Sequence, residues 1–266
     1  NFDKFEIASI AQEIYEEEFK KIIDEIEDDN LVFVGGCALN VSANRFLTKF
    51  NTFIPCNPGD GGSAIGCVID RKMPANAYLG YEIPGQYPVT EIIQELKQNH
   101  MVGVAKGRAE FGPRALGNRS LLYDPRDPGA KHRVNTVKKR EWYRPFAGTV
   151  LKECAHDLFD MAGLDESPFM TFAVEAKIDA WDIIPGILHL DKTCRIQTVT
   201  QEQNYHYYNL IKAFDDITKV PVLFNTSFNL AGETIVETMD DAIDTLERSS
   251  IDYMYLPESS ELICIS

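Results

Sequence analysis

Residues 106–146 read KGRAEFGPRALGNRSLLYDPRDPGAKHRVNTVKKREWYRPF, and we call this stretch the basic segment. It carries eleven Lys or Arg and four Asp or Glu, which gives it a local net charge of +7. The whole chain has a net charge of −15, so the remaining residues sum to −22. Positive side chains threaded with Gly and Pro in an otherwise acidic protein are typical of a site that holds a compact anion such as phosphate.

The composition is that of a soluble globular protein. Its 266 residues suffice for one large domain or two ordinary ones, with 44% hydrophobic and 25% charged residues. The net charge of −15 argues against a nucleic-acid coat or an anionic membrane as partner, and no apolar run approaches the ~20 residues of a membrane span. The six cysteines form no C-x-x-C pair and lie near no His at metal-ligand spacing. We therefore expect reduced thiols in a cytoplasmic protein.

The N-terminal part predicts helices and short strands. Isoleucines at three- and four-residue steps predict an amphipathic helix over 3–28. A buried strand then runs into Gly35 and Gly36, and a helix is predicted over 38–47. A diglycine after a strand either binds phosphate through backbone N–H groups or only permits close packing. A second strand leads to Asp60 in a Gly-rich turn, where a helix cap is a commoner role than a ligand.

A region rich in Pro, Gly, Asn and Tyr at 71–91 predicts a linker, and a mixed α/β domain is predicted beyond it. The basic segment is predicted to be mostly loop with short helical pieces. Apolar runs predict strands at 101–106, 146–151, 171–178, 194–199, 220–225, 253–256 and 261–265. Apolar periodicity predicts helices at 90–98, 207–217 and 239–249.

The basic segment supplies candidate anion ligands. Arg114 and Arg119 flank Gly and Pro turns, and Lys138, Arg140 and Arg144 lie close together in the chain. Guanidinium groups bind phosphate or carboxylate through two parallel hydrogen bonds. For any single arginine, a salt bridge to an acidic neighbour is the simpler interpretation. Eleven basic residues in one stretch of an acidic chain favour a shared anion site.

Two further stretches offer polar groups. NTSFN at 225–229 follows a buried strand, and its hydroxyls and amides either bind a polar ligand or cap a turn. In LHLDKTCRIQTV at 188–199, four polar residues alternate, which places them on one side of an extended strand. They are His189, Asp191, Thr193 and Arg195.

At this point the sequence resembles a known family. GRAEFGPRALGNRSLLYDPR at 107–126 closely resembles the signature of the nodulation-type O-carbamoyltransferases, a family that includes antibiotic-tailoring members. The resemblance continues through most of the chain, in order. Its further motifs are GGCALNVSANR (35–45), IPCNPGDGGSAIG (54–66), K-x-R-E-x-x-R-P-F (138–146), IPGILHLDKTCRIQTV (184–199) and PVLFNTSFNLAGETIV (221–236).

The resemblance implies an α/β protein with two domains. Residues 1–75 resemble the C-terminal segment of an actin-like ATPase-fold transferase domain, 76–89 a linker, and 90–266 a YrdC-like mixed α/β domain. The YrdC-like domain would make carbamoyl-adenylate from carbamoyl phosphate and ATP, with release of pyrophosphate. The transferase domain would bind nucleotide and a ferrous-type metal and pass the carbamoyl group to the hydroxyl of a small-molecule acceptor.

The resemblance also assigns residues. Gly35, Gly36 and Asn40 would lie near the nucleotide of the transferase domain, and Asp60 would be one metal ligand. The family's H-x-x-x-H metal pair does not occur in this sequence, so the metal site is incomplete and we expect the missing half of the domain upstream or on another chain. Carbamoyl phosphate and ATP, with its Mg²⁺, would be held by residues of the YrdC-like domain. These are Arg114, Arg119, Lys138, Arg140, Arg144, Arg195, Ser227 and Asn229, among which Lys138 and Arg144 would be catalytic.

Two alternatives stay open at this stage. One is a tRNA-modifying relative that makes a threonylcarbamoyl-type adenylate, which the long GPRALGNRS signature and the negative net charge disfavour. The other is a nucleotide- or phosphate-binding module without chemistry, which the absent histidine pair favours. We expect no membrane or nucleic-acid partner, and a homo-oligomer is compatible with the sequence.

Overall fold

The chain forms an N-terminal segment and a larger C-terminal segment in the computed structural model, which describes residues 3–67, 69 and 76–264. The first predicted helix is confirmed as α1 (Lys4–Asp24). It buries Phe19 and Ile23, while Ile7, Ile14 and other isoleucines of the same helix are exposed. The rest of the N-terminal segment contains two short strands and a second helix. They are β1 (Asn30–Val32), β2 (Asn51–Phe53), which is parallel to β1, and α2 (Asp60–Gly66).

The predicted α-helix over 38–47 is wrong. Two 3-10 helices, Gly36–Leu39 and Ala43–Leu47, take its place. Asn40 between them has a non-helical backbone (φ −80°, ψ 85°), and its Oδ1 accepts a hydrogen bond from the Ala43 N–H at 3.2 Å. A short polar side chain that bonds the nearby backbone competes with the helix ladder, which explains the break.

A nine-stranded mixed sheet is the centre of the C-terminal segment and confirms the α/β class. Its strand order is β13-β12-β4-β6-β11-β7-β10-β9-β8, and β3 pairs with β5 in a separate ribbon. The strands are β3 (Tyr78–Ile83), β4 (Val102–Ala105), β5 (Gly107–Glu110), β6 (Arg119–Tyr123), β7 (Ala147–Leu151), β8 (Phe159–Asp160), β9 (Ala173–Ala176), β10 (Thr193–Val199), β11 (Val222–Ser227), β12 (Tyr253–Leu256) and β13 (Glu261–Ile263). The helices are α3 (Val89–Lys97), α4 (Ala130–Val137), α5 (Ala155–Leu158), α6 (Tyr205–Thr218) and α7 (Met239–Glu247).

The basic segment is mostly loop with a short helix, as predicted, but it also contains two strands that were not predicted. Its residues form β5, α4 and the wholly buried strand β6, which pairs antiparallel with β4 on one side and β11 on the other. The run Leu121, Leu122 and Tyr123 supplies the apolar side chains of this strand, and each is at most 1% exposed. Flanking Arg, Gly and Pro hid this short apolar run in the sequence.

Part of the predicted linker is also folded. Residues 78–83 form β3, which pairs antiparallel with β5 of the basic segment. Tyr78 donates a hydrogen bond from its hydroxyl to the Leu116 carbonyl at 2.9 Å. Residues 71–75, the first part of the predicted 71–91 linker, lie outside the described residues.

The sheet register brings several polar residues to one place. Ala147 of β7 pairs with Arg195 of β10 on one side and with Asn225 of β11 on the other. Laterally paired residues point to the same face of a sheet, so Arg195 and Asn225 share a face. No helix within the described residues has the length and apolar character needed to cross a membrane.

Candidate anion-binding site

Four arginines converge on one cavity, which we call the anion cavity. Its volume is about 350 Å³, and it lies beside the C-terminal end of β11. Its lining is Pro113, Arg114, Ala115, Arg140, Arg144, Pro145, Met170, Arg195, Asn225, Thr226 and Ser227. Because this lining contains four guanidinium groups and no carboxylate, the cavity is suited to an anion.

Arg195 is the most unusual of the four. Burial and the nearby Arg114 and Arg140 lower the pKa of its guanidinium to about 9. Its Nε is buried and has no hydrogen-bond partner, and no carboxylate of the described residues lies within 4.0 Å of the side chain. A buried, unpaired positive group is costly unless something pairs with it. An anion in the cavity would remove that cost.

Arg114 and Arg140 are held differently. Arg114 comes from the turn between β5 and β6; burial lowers its pKa, and among the described residues it forms no salt bridge. Arg140 donates from Nε to Asn135 Oδ1 at 2.7 Å, and its Cζ lies 4.1 Å from the ring centre of Phe146. These contacts fix the orientation of the Arg140 guanidinium. Burial and the nearby Arg144 lower its pKa to about 10.

Arg144 lies at the rim. Its side chain is 53% exposed and its Nε donates to Glu141 Oε2 at 2.6 Å. It is therefore the one of the four cavity arginines that combines solvent exposure with a carboxylate partner.

Lys138 does not line the anion cavity, but it bonds Ser227, which does. Its Nζ donates to Asn229 Oδ1 at 2.8 Å, to the Asn229 carbonyl at 2.9 Å, to Ser227 Oγ at 3.3 Å and to the Ser227 carbonyl. The side chain is 2% exposed. Burial and Arg140 lower the pKa of Lys138 to about 7, whereas the four oxygens around Nζ favour the charged form. Lys138 thus ties the end of α4 to the 227–229 loop.

A second cavity of about 370 Å³ shares Pro113 and Ser227 with the anion cavity and is also lined by Asn229 and Arg119. Arg119 is fully buried. Its guanidinium donates hydrogen bonds to five backbone carbonyls, those of Tyr81, Lys106, Gly107, Asn118 and Glu237. The structure therefore gives Arg119 a scaffolding position, and its predicted contact with the anion stays a prediction.

The four residues predicted for the transferase domain lie outside the anion cavity. The Gly35 N–H donates to the Pro58 carbonyl at 2.6 Å, and the Asn40 amide exchanges hydrogen bonds with that of Gln12 at 3.0 and 3.3 Å. Gly36 begins a 3-10 helix, and Asp60 is exposed at the start of α2. Within residues 3–67, 69 and 76–264, no three His, Cys, Asp or Glu side chains are grouped closely enough to hold a metal ion. The residues present here do not fit a metal site.

The two segments meet at the anion cavity. Arg114 and Met170 line the cavity and also a tight gap whose other wall is formed by Ala38, Leu39 and Val41. Asn44 of the N-terminal segment donates to the Thr171 carbonyl at 2.7 Å. The sequence interpretation missed this junction and missed Met170, since nothing in the local pattern marks either.

Of the four alternating residues at 189–195, only Arg195 lines the anion cavity. His189 Nε2 faces the Phe146 carbonyl at 3.2 Å, and Asp191 accepts hydrogen bonds from Thr193. The buried polar trio of Asn225, Thr149 and Gln197 was not predicted as a unit. Only Thr149 gave a signal, as the one polar side chain of the apolar strand β7; β10 and β11 contain other polar residues, so Gln197 and Asn225 do not stand out in them.

Comparisons with known proteins point to one family. A family model described as carbamoyltransferase C-terminus matches residues 93–260. An uncharacterised protein of Methanocaldococcus jannaschii, MJ1051, is 36% identical, covering 96% of this chain and 56% of that protein. Nodulation protein NolO of Bradyrhizobium diazoefficiens is 46% identical over 57% of this chain and 28% of its own length. Nodulation protein U of Rhizobium tropici is 32% identical over 85% of this chain and 42% of its own length. The chain spans about half or less of these relatives.

Proposed function

The chain belongs to the carbamoyltransferase C-terminus family, and from this membership we propose that it activates a carbamoyl group for transfer. The proposed substrates are carbamoyl phosphate and ATP. Water releases phosphate from carbamoyl phosphate, the carbamate oxygen then attacks the α-phosphorus of ATP, and pyrophosphate leaves. The product is carbamoyl-adenylate, whose carbamoyl group passes to an acceptor hydroxyl.

The observation that carries the proposal is the anion cavity, with its four arginines and no carboxylate. Two anionic reactants repel each other, and preorganised guanidinium groups offset that repulsion and stabilise charge that develops on the α-phosphoryl group. A cavity of about 350 Å³ is large enough for carbamoyl phosphate. Mg²⁺ would travel with the ATP.

The residues have different proposed roles. Arg114, Arg140 and Arg195 bind the anion from the buried side, and Arg144 stabilises charge from the rim. Lys138 is a positioning residue, because its ammonium contacts protein oxygens at Ser227 and Asn229. We derive no metal-assisted step, since Asp60 has no grouped ligands among the described residues.

The test is pyrophosphate release from ATP with and without carbamoyl phosphate. We expect release that depends on carbamoyl phosphate and falls at least about tenfold in Lys138→Met and in Arg144→Met, a loss of at least about 1.4 kcal/mol of transition-state stabilisation. Lys139→Met is the matched control, because Lys139 is the exposed neighbour, and within the described part of the chain its Nζ bonds only the Arg248 carbonyl, at 3.2 Å. A chain that binds ATP but releases no pyrophosphate with carbamoyl phosphate would overturn the proposal.

A second candidate is a phosphate- or nucleotide-binding module without turnover. The observation that favours it is Lys138, whose ammonium is occupied by four protein oxygens and not directed into the anion cavity. This candidate predicts tight phosphate binding with no pyrophosphate release under any acyl donor, so the same assay separates the two.

A further inference from the structure

Asn225 is a fully buried residue of β11 that lines the anion cavity. Its Oδ1 is buried and has no hydrogen-bond partner among the residues that the structure describes. A buried acceptor left unpaired is unfavourable, and buried polar atoms in native proteins are nearly always paired. Oδ1 is therefore an unused acceptor on a residue that lines the cavity.

The orientation of the Asn225 amide is fixed by its neighbours. Nδ2 faces Thr149 Oγ1 at 3.0 Å, the Ala115 carbonyl at 3.2 Å and Gln197 Oε1 at 3.3 Å. The Thr149 hydroxyl donates to Gln197 Oε1 at 2.8 Å, so its oxygen is free to accept from Asn225. Rotating the amide by half a turn would set Oδ1 against the Ala115 carbonyl oxygen, two acceptors without a proton between them. Oδ1 must therefore be the atom without a partner.

Asn225 and Arg195 present complementary groups. Both pair with Ala147 of β7, one on each side, so their side chains share a face of the sheet and their Cα atoms lie about two strand spacings, ~10 Å, apart. Arg195 contributes an unpaired donor at Nε and Asn225 an unpaired acceptor at Oδ1. A ligand that satisfies both needs an anionic end for Arg195 and an N–H donor for Asn225.

We propose that Asn225 Oδ1 accepts a hydrogen bond from the –NH₂ of the carbamoyl group and so selects carbamoyl over acyl groups that lack an N–H. This inference rests on the proposed function and adds to it a specificity-determining residue. Carbamoyl phosphate and acetyl phosphate have the same shape and charge and differ in –NH₂ against –CH₃. A site built around a hydrogen bond rejects the analogue without the donor, because its own polar atom then stays unpaired.

The first test uses the unaltered protein and a stable pair of probes, phosphonoacetamide and phosphonoacetone, with inorganic phosphate as reference. Calorimetric titration should show phosphonoacetamide binding about 5- to 100-fold more tightly than phosphonoacetone, from the usual range for an unpaired buried group. Equal affinities for the two phosphonates, with phosphate still bound, would overturn the inference and leave the proposed function standing. If none of the three anions binds, the proposed function itself fails.

The second test uses a pair of variants. Asn225→Ala should bring the ratio of the two phosphonate affinities close to one, while inorganic phosphate binding changes less than about threefold. Asn44→Ala is the matched control: Asn44 is also fully buried with an unpartnered Oδ1, and its Nδ2 also bonds backbone carbonyls, but it does not line the anion cavity. Its affinity ratio should stay that of the unaltered protein. Selectivity retained in folded Asn225→Ala refutes the inference, and should that variant not fold, the probe pair on the unaltered protein decides.

Discussion

Replacing Arg195 by Met should stabilise the unliganded protein while it abolishes anion binding. The surroundings lower the pKa of this guanidinium from 12.5 to about 9. Each pKa unit corresponds to about 1.4 kcal/mol, so the charged form is disfavoured by about 5 kcal/mol. Part of this is recovered through solvent at the cavity mouth, and Met gives up some packing of the longer side chain. We therefore expect a net gain of about 1–2 kcal/mol in the free energy of unfolding.

The assay is thermal unfolding with and without phosphate. A gain of about 1–2 kcal/mol in a chain of this size raises the Tm by about 2–8 °C. Phosphate should raise the Tm of the unaltered protein by mass action and leave that of Arg195→Met nearly unchanged. Arg195→Met should thus have the higher Tm without phosphate, and the unaltered protein should have the higher Tm once enough phosphate is added.

Arg126→Met is the matched control from the same basic segment. Arg126 Nη2 lies 2.5 Å from Asp124 Oδ2, and the Asp124 side chain is only 2% exposed. Losing the arginine side chain leaves a buried carboxylate without its charged partner, and of the described residues only the backbone N–H of residue 126 still donates to it. We therefore expect a loss of about 2–4 kcal/mol with phosphate binding intact. If Arg195→Met lowers the Tm as Arg126→Met does, the reasoning is refuted, and Arg195 is part of the structural framework.

Three further predictions concern the scaffold. Gly117→Ala should destabilise the protein by more than about 2 kcal/mol in urea unfolding, because φ is +112° and a Cβ would lie 2.2 Å from the Tyr207 ring. Arg119→Met should cost about 3–5 kcal/mol in the same assay, since it leaves buried backbone carbonyls without donors; a cost below 1 kcal/mol would contradict its scaffolding role. Burial lowers the pKa of His189, so as the pH falls below about 6.5 the unfolded chain binds a proton that the folded chain does not. The free energy of unfolding therefore keeps the contribution of His189 in full above about pH 6.5 and loses it as the pH falls. His189→Gln should flatten the pH dependence of the unfolding free energy between about pH 7 and 5.

Much of the fold was predictable from apolar spacing. Helices α1, α3, α6 and α7 and most sheet strands have a clear period or an apolar run, and these predictions are confirmed. The exceptions have local causes: Asn40 interrupts the predicted helix, and Arg119 with the turn before it conceals β6. In both, a polar side chain binds backbone groups: Asn40 bonds the nearby Ala43 N–H, and Arg119 bonds carbonyls that lie far away in the chain.

The sequence predicted that the basic residues cluster at one site, but not which contacts each of them makes. The charge of the basic segment indicated an anion site, and the resemblance named its members. Which arginine is free depends on its contacts, and those lie far away in the chain, as the bonds from Arg119 to Tyr81 and Glu237 show. The spare acceptor of Asn225 depends likewise on Thr149 and Gln197, which sit on two other strands.

The shared position of Arg114 and Met170 has a mechanical consequence. Both side chains face the anion cavity on one side and Ala38, Leu39 and Val41 on the other. Protein interiors are close-packed, so Ala38, Leu39 and Val41 help to fix where the Arg114 and Met170 side chains lie. The N-terminal segment is thereby an outer support for one wall of the anion cavity.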